Sequence, residues 1–144
     1  MAITTNAICN SFKKELLEAK HDFTATTGSV FKLAMYNSSA TLGKSTTSFT
    51  TGGEASSPAG YTSGGKALVN TGTSVSSSVA ITNFSNLSFT NVTLTARGAL
   101  IYNTSNSNSA VAVLDFVDNK TATAGTFTIQ FPAYTTSAAI LRIS

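Results

Sequence analysis

The stretch that decides the fold is "ARGALIYNTSNSNSAVAVLDF", residues 96–116, in which a polar segment rich in Ser and Asn separates two apolar runs. Each run has the length and the β-branched and aromatic content of a buried strand. The Ser- and Asn-rich segment between them has the composition of a loop tip. We therefore predict a core hairpin that pairs residues 97–102 with 110–116 and exposes the tip "NTSNSNS".

One charged residue stands near each outer end of this hairpin, Arg97 and Asp115. If Tyr102 pairs near Ala110, the same register places Arg97 directly opposite Asp115. Such an opposed pair contributes about 0.2–1 kcal/mol, so we interpret it as a structural cross-strand pair that reports register. Gly98, next to Arg97, indicates a bulge or a close backbone approach at this point.

The composition of the whole chain is typical of a β-rich protein. Only 10% of the 144 residues are charged, whereas about 25% is usual in soluble domains, so Ser, Thr and Asn must supply the solubility. Thr favours strands, and Ser, Asn and Gly favour turns. The length fits a single domain over residues 1–144, with a core large enough to fold without a metal or a disulfide.

One amphipathic helix is predicted near the amino terminus, from about residue 5 to residue 20. Ile8, Phe12 and Leu16 recur at the i, i+4, i+8 positions and therefore share one face, whereas the charged side chains lie mostly on the other. This apolar face must pack on something. It packs either on the sheet of its own subunit, which is the simpler interpretation, or on a neighbouring molecule.

After residue 22 the apolar pattern changes to alternation, which indicates a β-rich body over about residues 29–144. The segment "SVFKLAMYN", residues 29–37, predicts a strand with one buried face. The other predicted strands cover residues 46–51 (inside a long glycine-rich loop at 38–65), 66–71, 78–84, 87–95, 97–102, 110–116, 125–132 and 138–143. This series of about eight short strands predicts a mainly β, single-domain antiparallel β-sandwich or jelly-roll-like barrel with one N-terminal helix.

The charge pattern favours neither nucleic acid nor membrane as a partner. The formal net charge is +3, but the basic residues are scattered and form no patch. No apolar run approaches the roughly 18–20 residues of a membrane span. The first residues also lack a basic leader followed by an apolar segment, so we expect a protein made in a cytoplasm.

The residues that most often carry catalysis are few. His21 is the only histidine, so a two-histidine metal site within one chain is impossible, and we expect a capping or surface residue at the helix end. Cys9 is the only cysteine and lies on or beside the apolar helix face, where a buried, inert thiol is expected. We expect no cofactor and no metal.

Two carboxylates, Asp115 and Asp118, lie close together in the β-rich part, and glycosidases use such pairs. Asp118, however, is expected in a turn within "VDNKTATAG", residues 117–125, where Asp is a common turn residue. The sequence therefore favours a protein that is not an enzyme.

The tyrosines offer a second kind of site. Aromatic faces and amide groups form sugar-binding platforms, and an adhesin that contacts glycans is one hypothesis for the chain. The competing interpretation is that these are ordinary tyrosines at strand ends. The tyrosines are Tyr36, Tyr61, Tyr102 and Tyr134.

Several blocks of the chain resemble a family of small virion proteins of tailed bacteriophages, with relatives among cyanophages and other marine phages. The resemblance covers essentially the whole chain, and the blocks are specific in order and spacing, whereas residues 50–80 depart from the family pattern. The blocks are "MAITTNAICNSFKKELLEAKHDF" (1–23), "TARGALIYN" (95–103), "AVAVLDF" (110–116), "FTIQFPA" (127–133) and "AAILRI" (138–143).

The resemblance implies a structural role, with no catalytic residue. It points to a capsid decoration (cement) protein on the exterior of the virion, with the major capsid protein as its partner. The protein is expected to form a homo-oligomer, with a trimer favoured and a dimer as the alternative. Ile8, Phe12 and Leu16 are then the candidate oligomer or capsid interface. A tail- or fibre-associated protein, or a surface adhesin that contacts host glycans, is the alternative function.

Overall fold

The computed structural model describes residues 3–56 and 60–144, which form two antiparallel β-sheets and one short helix near the amino terminus. The fold is mainly β with two sheets, as predicted, and is consistent with a β-sandwich. The elements in chain order are β1 (Ala7–Ile8), α1 (Asn10–Leu17), β2 (Phe31–Tyr36), β3 (Lys66–Ala67), β4 (Asn70–Ser76), β5 (Val79–Phe84), β6 (Leu87–Asn103), a 3-10 turn (Thr104–Asn106), β7 (Ser109–Ile129) and β8 (Leu141–Ile143).

The larger sheet has five strands in the order β1-β7-β6-β2-β3, and the smaller has three in the order β4-β5-β8. The core hairpin predicted from the sequence is the pair β6 and β7. Tyr102 pairs with Ala110 as predicted, but the register shifts by one residue next to this pair, since Ile101 pairs with Ala112. β2 lies on the other side of β6, so β6 and β7 are interior strands at this end of the larger sheet.

β6 and β7 are longer than the sequence predicted, because each joins two segments that we expected to be separate strands. Ala96 pairs with Lys120, whereas Gly98 pairs with Asp115, so the residues of β7 between these two pairs form a bulge. Val117, within the bulge, has a left-handed backbone with φ of 71°. The prediction that Asp118 lies in a turn between strands is therefore wrong, since the chain continues through a bulge.

The N-terminal helix is shorter than predicted. α1 covers Asn10–Leu17 rather than residues 5–20, because Ala7 and Ile8 pair with Val113 and Ala112 as the edge strand β1. The apolar spacing that placed Ile8 on a helix is equally satisfied by a short strand followed by a helix. α1 ends after Leu17, and Ala19 has a left-handed φ of 59°.

β2 is buried on both faces, whereas its alternating sequence predicted only one. The loop between β2 and β3 covers the second face, where Tyr36 donates to the Thr50 carbonyl at 2.6 Å. The same loop borders the edge of β2, where Tyr61 Oη accepts from the Met35 amide at 2.9 Å. The strand predicted at 46–51 is reduced to an isolated bridge between Ser48 and Ser109.

A cluster of phenylalanines joins the two sheets. Phe31 of β2 and Phe84 of β5 have ring centroids 5.6 Å apart, in edge contact. Phe23 stacks on Phe31 at 4.5 Å, and Phe131 packs against Phe84 at 5.6 Å. Because buried aromatic rings contribute large apolar areas, this cluster stabilises the packing of the two sheets.

Replacing Phe84 with alanine should therefore destabilise the fold by about 3–5 kcal/mol, since it removes a buried ring at the junction of the sheets. The chain has no tryptophan, so the measurement is urea-induced unfolding followed by far-UV circular dichroism. Val75→Ala is the matched control, because Val75 lies in the same small sheet but is 71% exposed. An equal loss of stability in the two variants would contradict this role of Phe84.

Candidate functional site

His21 is buried between α1 and the β6–β7 hairpin, and it is not the capping or surface residue that the sequence predicted. Its Nε2 lies 2.8 Å from Glu15 Oε2, and its Nδ1 lies 2.9 Å from Asn103 Nδ2. Because Asn103 Oδ1 accepts from the Ser105 amide, Asn103 Nδ2 is the donor to Nδ1. The hydrogen of the neutral ring is then on Nε2 and is donated to Glu15. Both ring nitrogens are used in linking the helix to the hairpin.

The hairpin tip is less exposed than predicted. Asn103 and Ser109, which begin and end "NTSNSNS", are both buried. Asn106 donates from Nδ2 to Ser109 Oγ at 2.9 Å, so the tip is closed by its own side chains. Asn103 is oriented toward His21 and the body of the protein, which explains why an amide is buried at this position.

Cys9 is fully buried at the start of α1, in agreement with the expectation of a buried thiol. Its backbone amide donates to the Val111 carbonyl at 2.9 Å, which continues the pairing of β1 with β7. Burial, and then the negative charge of Glu15, raise the pKa of the Cys9 thiol to about 11. The thiolate, which is the nucleophilic form, is therefore scarce at neutral pH.

Arg97 and Asp115 form an ion pair between Nη1 and Oδ1, although not through direct opposition in the ladder. Asp115 is paired with Gly98, so the predicted opposition of Arg97 and Asp115 is wrong by one residue. The bulge turns Arg97 toward the carboxylate across this offset. A β-carbon at Gly98 would collide with the backbone carbonyl oxygen of Leu114, so the close backbone approach expected at Gly98 is confirmed.

The two carboxylates of β7 have different surroundings. Asp115 accepts from Arg97 and from the Val117 amide, whereas Asp118 is exposed in the bulge. Partial burial opposes ionisation of Asp115, but the Val117 amide and the Arg97 guanidinium together lower the pKa of its carboxyl below the ordinary value. Asp115 is thus held as a structural anion. Within residues 3–56 and 60–144, no three His, Cys, Asp or Glu side chains group as metal ligands.

The tyrosines do not form the platform that the sugar-binding hypothesis requires, and the competing interpretation of ordinary structural tyrosines fits three of the four. Tyr36, Tyr61 and Tyr102 are buried, and only Tyr134 is exposed. The buried hydroxyls hold the loop between β2 and β3: Tyr61 donates to Glu54 Oε1 at 2.7 Å, and Tyr102 donates to the Gly64 carbonyl at 2.5 Å. A sugar ring therefore has no row of tyrosine faces on which to stack.

The feature that remains is a cleft of about 890 Å³ between α1 and the smaller sheet, here named the α1–β8 cleft. Its volume is within the range of binding clefts. Its two walls are mainly apolar. They are formed by Ile8, Phe12, Leu16 and Phe23 on one side and by Ala80, Leu141 and Ile143 on the other.

The predicted interface residues Ile8, Phe12 and Leu16 therefore come together in one wall of this cleft. They do not form a helix face that could extend away from its own subunit to pack on a neighbouring molecule. Phe12 is buried and contacts Phe23 with ring centroids 6.0 Å apart, whereas Ile8 and Leu16 are only partly buried. α1 is docked on its own subunit through Phe12, and the edges of the same face stay accessible in the cleft.

The opposite wall continues onto the open surface. Val75, Ala80 and Ile143 are direct cross-strand neighbours in the smaller sheet and so share one face. Val75 is 71% exposed and Ile143 is 60% exposed. Single exposed apolar residues are ordinary, but a cross-strand row that leads into an apolar cleft is typical of a binding surface.

Two cations at the cleft, Lys13 and Arg142, were not singled out by the sequence. Neither forms an ion pair with a carboxylate of the described residues. A signal was present for Arg142: a basic residue between Leu141 and Ile143 is characteristic of an edge strand. Nothing local indicated that this strand would lie near α1.

Comparisons of the chain with known protein families, with curated proteins and with solved structures find no match. Within the two described ranges, no helix has the length and apolar character that crossing a membrane requires.

Replacing Asp115 with asparagine should cost about 1 kcal/mol of stability, because it removes the charge but keeps an oxygen that can accept from the Val117 amide. Asp118→Asn is the matched control, since it removes an exposed carboxylate from the same strand. Urea unfolding of both variants at neutral pH gives the comparison, and an equally small change in both would contradict the structural role of the pair.

The same variant has a defined pH dependence. A carboxyl whose pKa is lowered by folding stabilises the protein above its unfolded pKa, and this contribution is lost as pH falls through the folded value. The stability difference between the natural chain and Asp115→Asn should be complete above the ordinary value of 3.8 and shrink below it. A difference that grows on acidification would show that the carboxylate is not stabilised in the fold.

Proposed function

We propose that this chain is a non-enzymatic structural virion protein, a capsid decoration protein that binds the shell of the major capsid protein and stabilises it. It is made in the host cytoplasm and acts on the exterior of the virion. The resemblance to small virion proteins of tailed bacteriophages supports this proposal, and so does the domain architecture, since a rigid β-body is suited to adding buried area between capsid subunits.

The observation that carries the proposal is the α1–β8 cleft. Its apolar walls open beside the cross-strand row of Val75, Ala80 and Ile143, in which Val75 and Ile143 are exposed. Apolar surfaces of this kind are sites of protein association. A protein that must hold a shell together uses such a surface, because burial of apolar area is the main driving force for association.

The placement of the reactive side chains supports the non-enzymatic part of the proposal. His21 uses one ring nitrogen for Glu15 and the other for Asn103. Asp115 is bonded to Arg97 and to the Val117 amide. These groups are used in holding α1, the hairpin and the bulge in place, and residues with such roles are poorly suited to exchanging protons with a substrate.

The purified chain should bind stoichiometrically to phage shells that lack it and should raise the melting temperature of the particles. The physical reason is linkage: a ligand that binds only the assembled shell stabilises the shell in proportion to its binding free energy. Sedimentation gives the stoichiometry, and calorimetry gives the melting temperature. An unrelated basic protein of similar size is the control for charge alone.

If the chain failed to bind shells, or bound them without changing their melting temperature, the decoration role would be refuted. If particles carried the chain only in their tails, the tail-associated alternative would replace it.

The free chain should be a homo-oligomer, because decoration proteins that sit at symmetry axes of a shell share the symmetry of the axis. A trimer is the first expectation and a dimer the second. Analytical ultracentrifugation should give a multiple of the 14.8 kDa chain mass. A mass equal to a single chain at all concentrations would remove this part of the proposal.

A further inference from the structure

β8 is an edge strand whose outer side has no strand neighbour in the described part of the chain. It is the last strand in the order β4-β5-β8 and pairs only with β5, through Leu141, Arg142 and Ile143. An edge strand presents unpaired amide and carbonyl groups, which are a template for the addition of another strand.

The α1–β8 cleft borders β8 and reaches over the neighbouring strand. Residues 140–144 line it, and so do Ala80, Ile81 and Thr82 of β5. All three residues of β8 therefore face the cleft with some of their atoms. An added strand would therefore have backbone partners on β8 and apolar walls for its side chains.

The sequence of β8 specifies the chemistry of its complement. Leu141 and Ile143 point to the face shared with Ala80, and Arg142 points to the other face. Side chains opposite one another on neighbouring strands share a face, so the matching strand has apolar residues opposite Leu141 and Ile143 and an acidic residue opposite Arg142.

The remaining charges at the cleft agree with an acidic partner. Lys13 lies on α1 and is the second cation that lines the cleft, and like Arg142 it forms no ion pair with the described residues. Asp22 is the one acidic residue among those lining the cleft, and its Oδ1 already accepts from the Thr24 amide at 2.9 Å. The cleft is thus an apolar groove with a positive border.

A second copy of this chain is a poor occupant. Two β8 strands paired about a twofold axis would place Arg142 opposite Arg142, and like charges directly opposite are destabilising. A slip of one residue would place Arg142 on the face of Leu141 and Ile143 and would lose the apolar match. A slip of two residues keeps the faces but places Arg142 opposite Ile140 or Ser144, so β8 offers it no acidic side chain in any of these registers. The charge pattern therefore favours a different, acidic chain.

We infer that β8 binds an extended segment of a partner protein, with alternating apolar and acidic side chains, as a fourth strand of the smaller sheet. If the proposed function holds, on which this identification of the partner rests, the segment belongs to the major capsid protein. The apolar side chains of the segment enter the α1–β8 cleft, and its acidic side chains contact Arg142.

The direct test uses short capped peptides and the full chain. A fluorescent peptide of alternating valine and glutamate should bind at least about tenfold more tightly than one of alternating valine and lysine. A third peptide, with prolines at alternate positions of the valine–glutamate peptide, should not bind, because proline cannot donate to the β8 backbone. Equal binding of the lysine peptide, or retained binding of the proline peptide, would overturn strand addition at β8.

Charge reversal locates the site. Arg142→Glu should reverse the preference, so that the lysine peptide binds more tightly than the glutamate peptide. Arg142 is exposed, and its guanidinium donates to the Ser137 carbonyl. If Arg142→Glu is unstable, Arg142→Gln replaces it in the test and should abolish the preference for the glutamate peptide over the lysine peptide. Lys120→Glu is the matched control, since it makes the same charge change on β7, and an equal effect of the two glutamate variants would overturn the assignment.

Shell binding separates this inference from the proposed function. If the glutamate peptide binds selectively but the chain does not bind shells, strand addition stands and the decoration role fails. If shells bind the natural chain and Arg142→Glu equally well, the decoration role stands and the use of β8 for it is refuted.

Discussion

The contact of Phe31 with Phe84 is the interaction on which the rest of the structure depends. The smaller sheet has only three strands, and β8 has only three residues, so this sheet needs another layer to be stable. The phenylalanine cluster supplies that layer by fixing β5 against β2. Because β5 carries β8, the same contact sets the position of the α1–β8 cleft. The position of the cleft is thus a consequence of how the two sheets meet.

The sequence predicted most of what depends on local pattern. Alternation located β2 and β5, and the polar tip located the hairpin of β6 and β7 with the correct pairing of Tyr102 and Ala110. It failed where pairing between distant residues decides the outcome. Ile8 has helical spacing, yet it lies in a strand because it pairs with Ala112 of β7. The stretch around Asp118 has turn composition, yet it continues β7 as a bulge because β6 runs alongside.

The candidate site was predictable only in part, for the same reason. Ile8, Phe12 and Leu16 were recognised as an apolar set, but the wall that faces them is formed by residues 140–144, at the other end of the chain. The burial of His21 was not predicted, because its partners, Glu15 and Asn103, are brought to it only by the fold. Local composition does not indicate such distant neighbours. The ion pair of Arg97 and Asp115 could be predicted because both residues lie in one hairpin.

These features combine into one account. The reactive side chains hold α1 and the hairpin to the larger sheet, and the surface left over is an apolar cleft beside an edge strand that carries Arg142. Hydrogen–deuterium exchange of the shell-bound chain tests this account most directly. The account predicts that amides of the segment containing β8 exchange rapidly in the free chain and become protected on shells, as expected for new backbone pairing. Protection confined to the hairpin tip or to β7, with β8 unchanged, would contradict it.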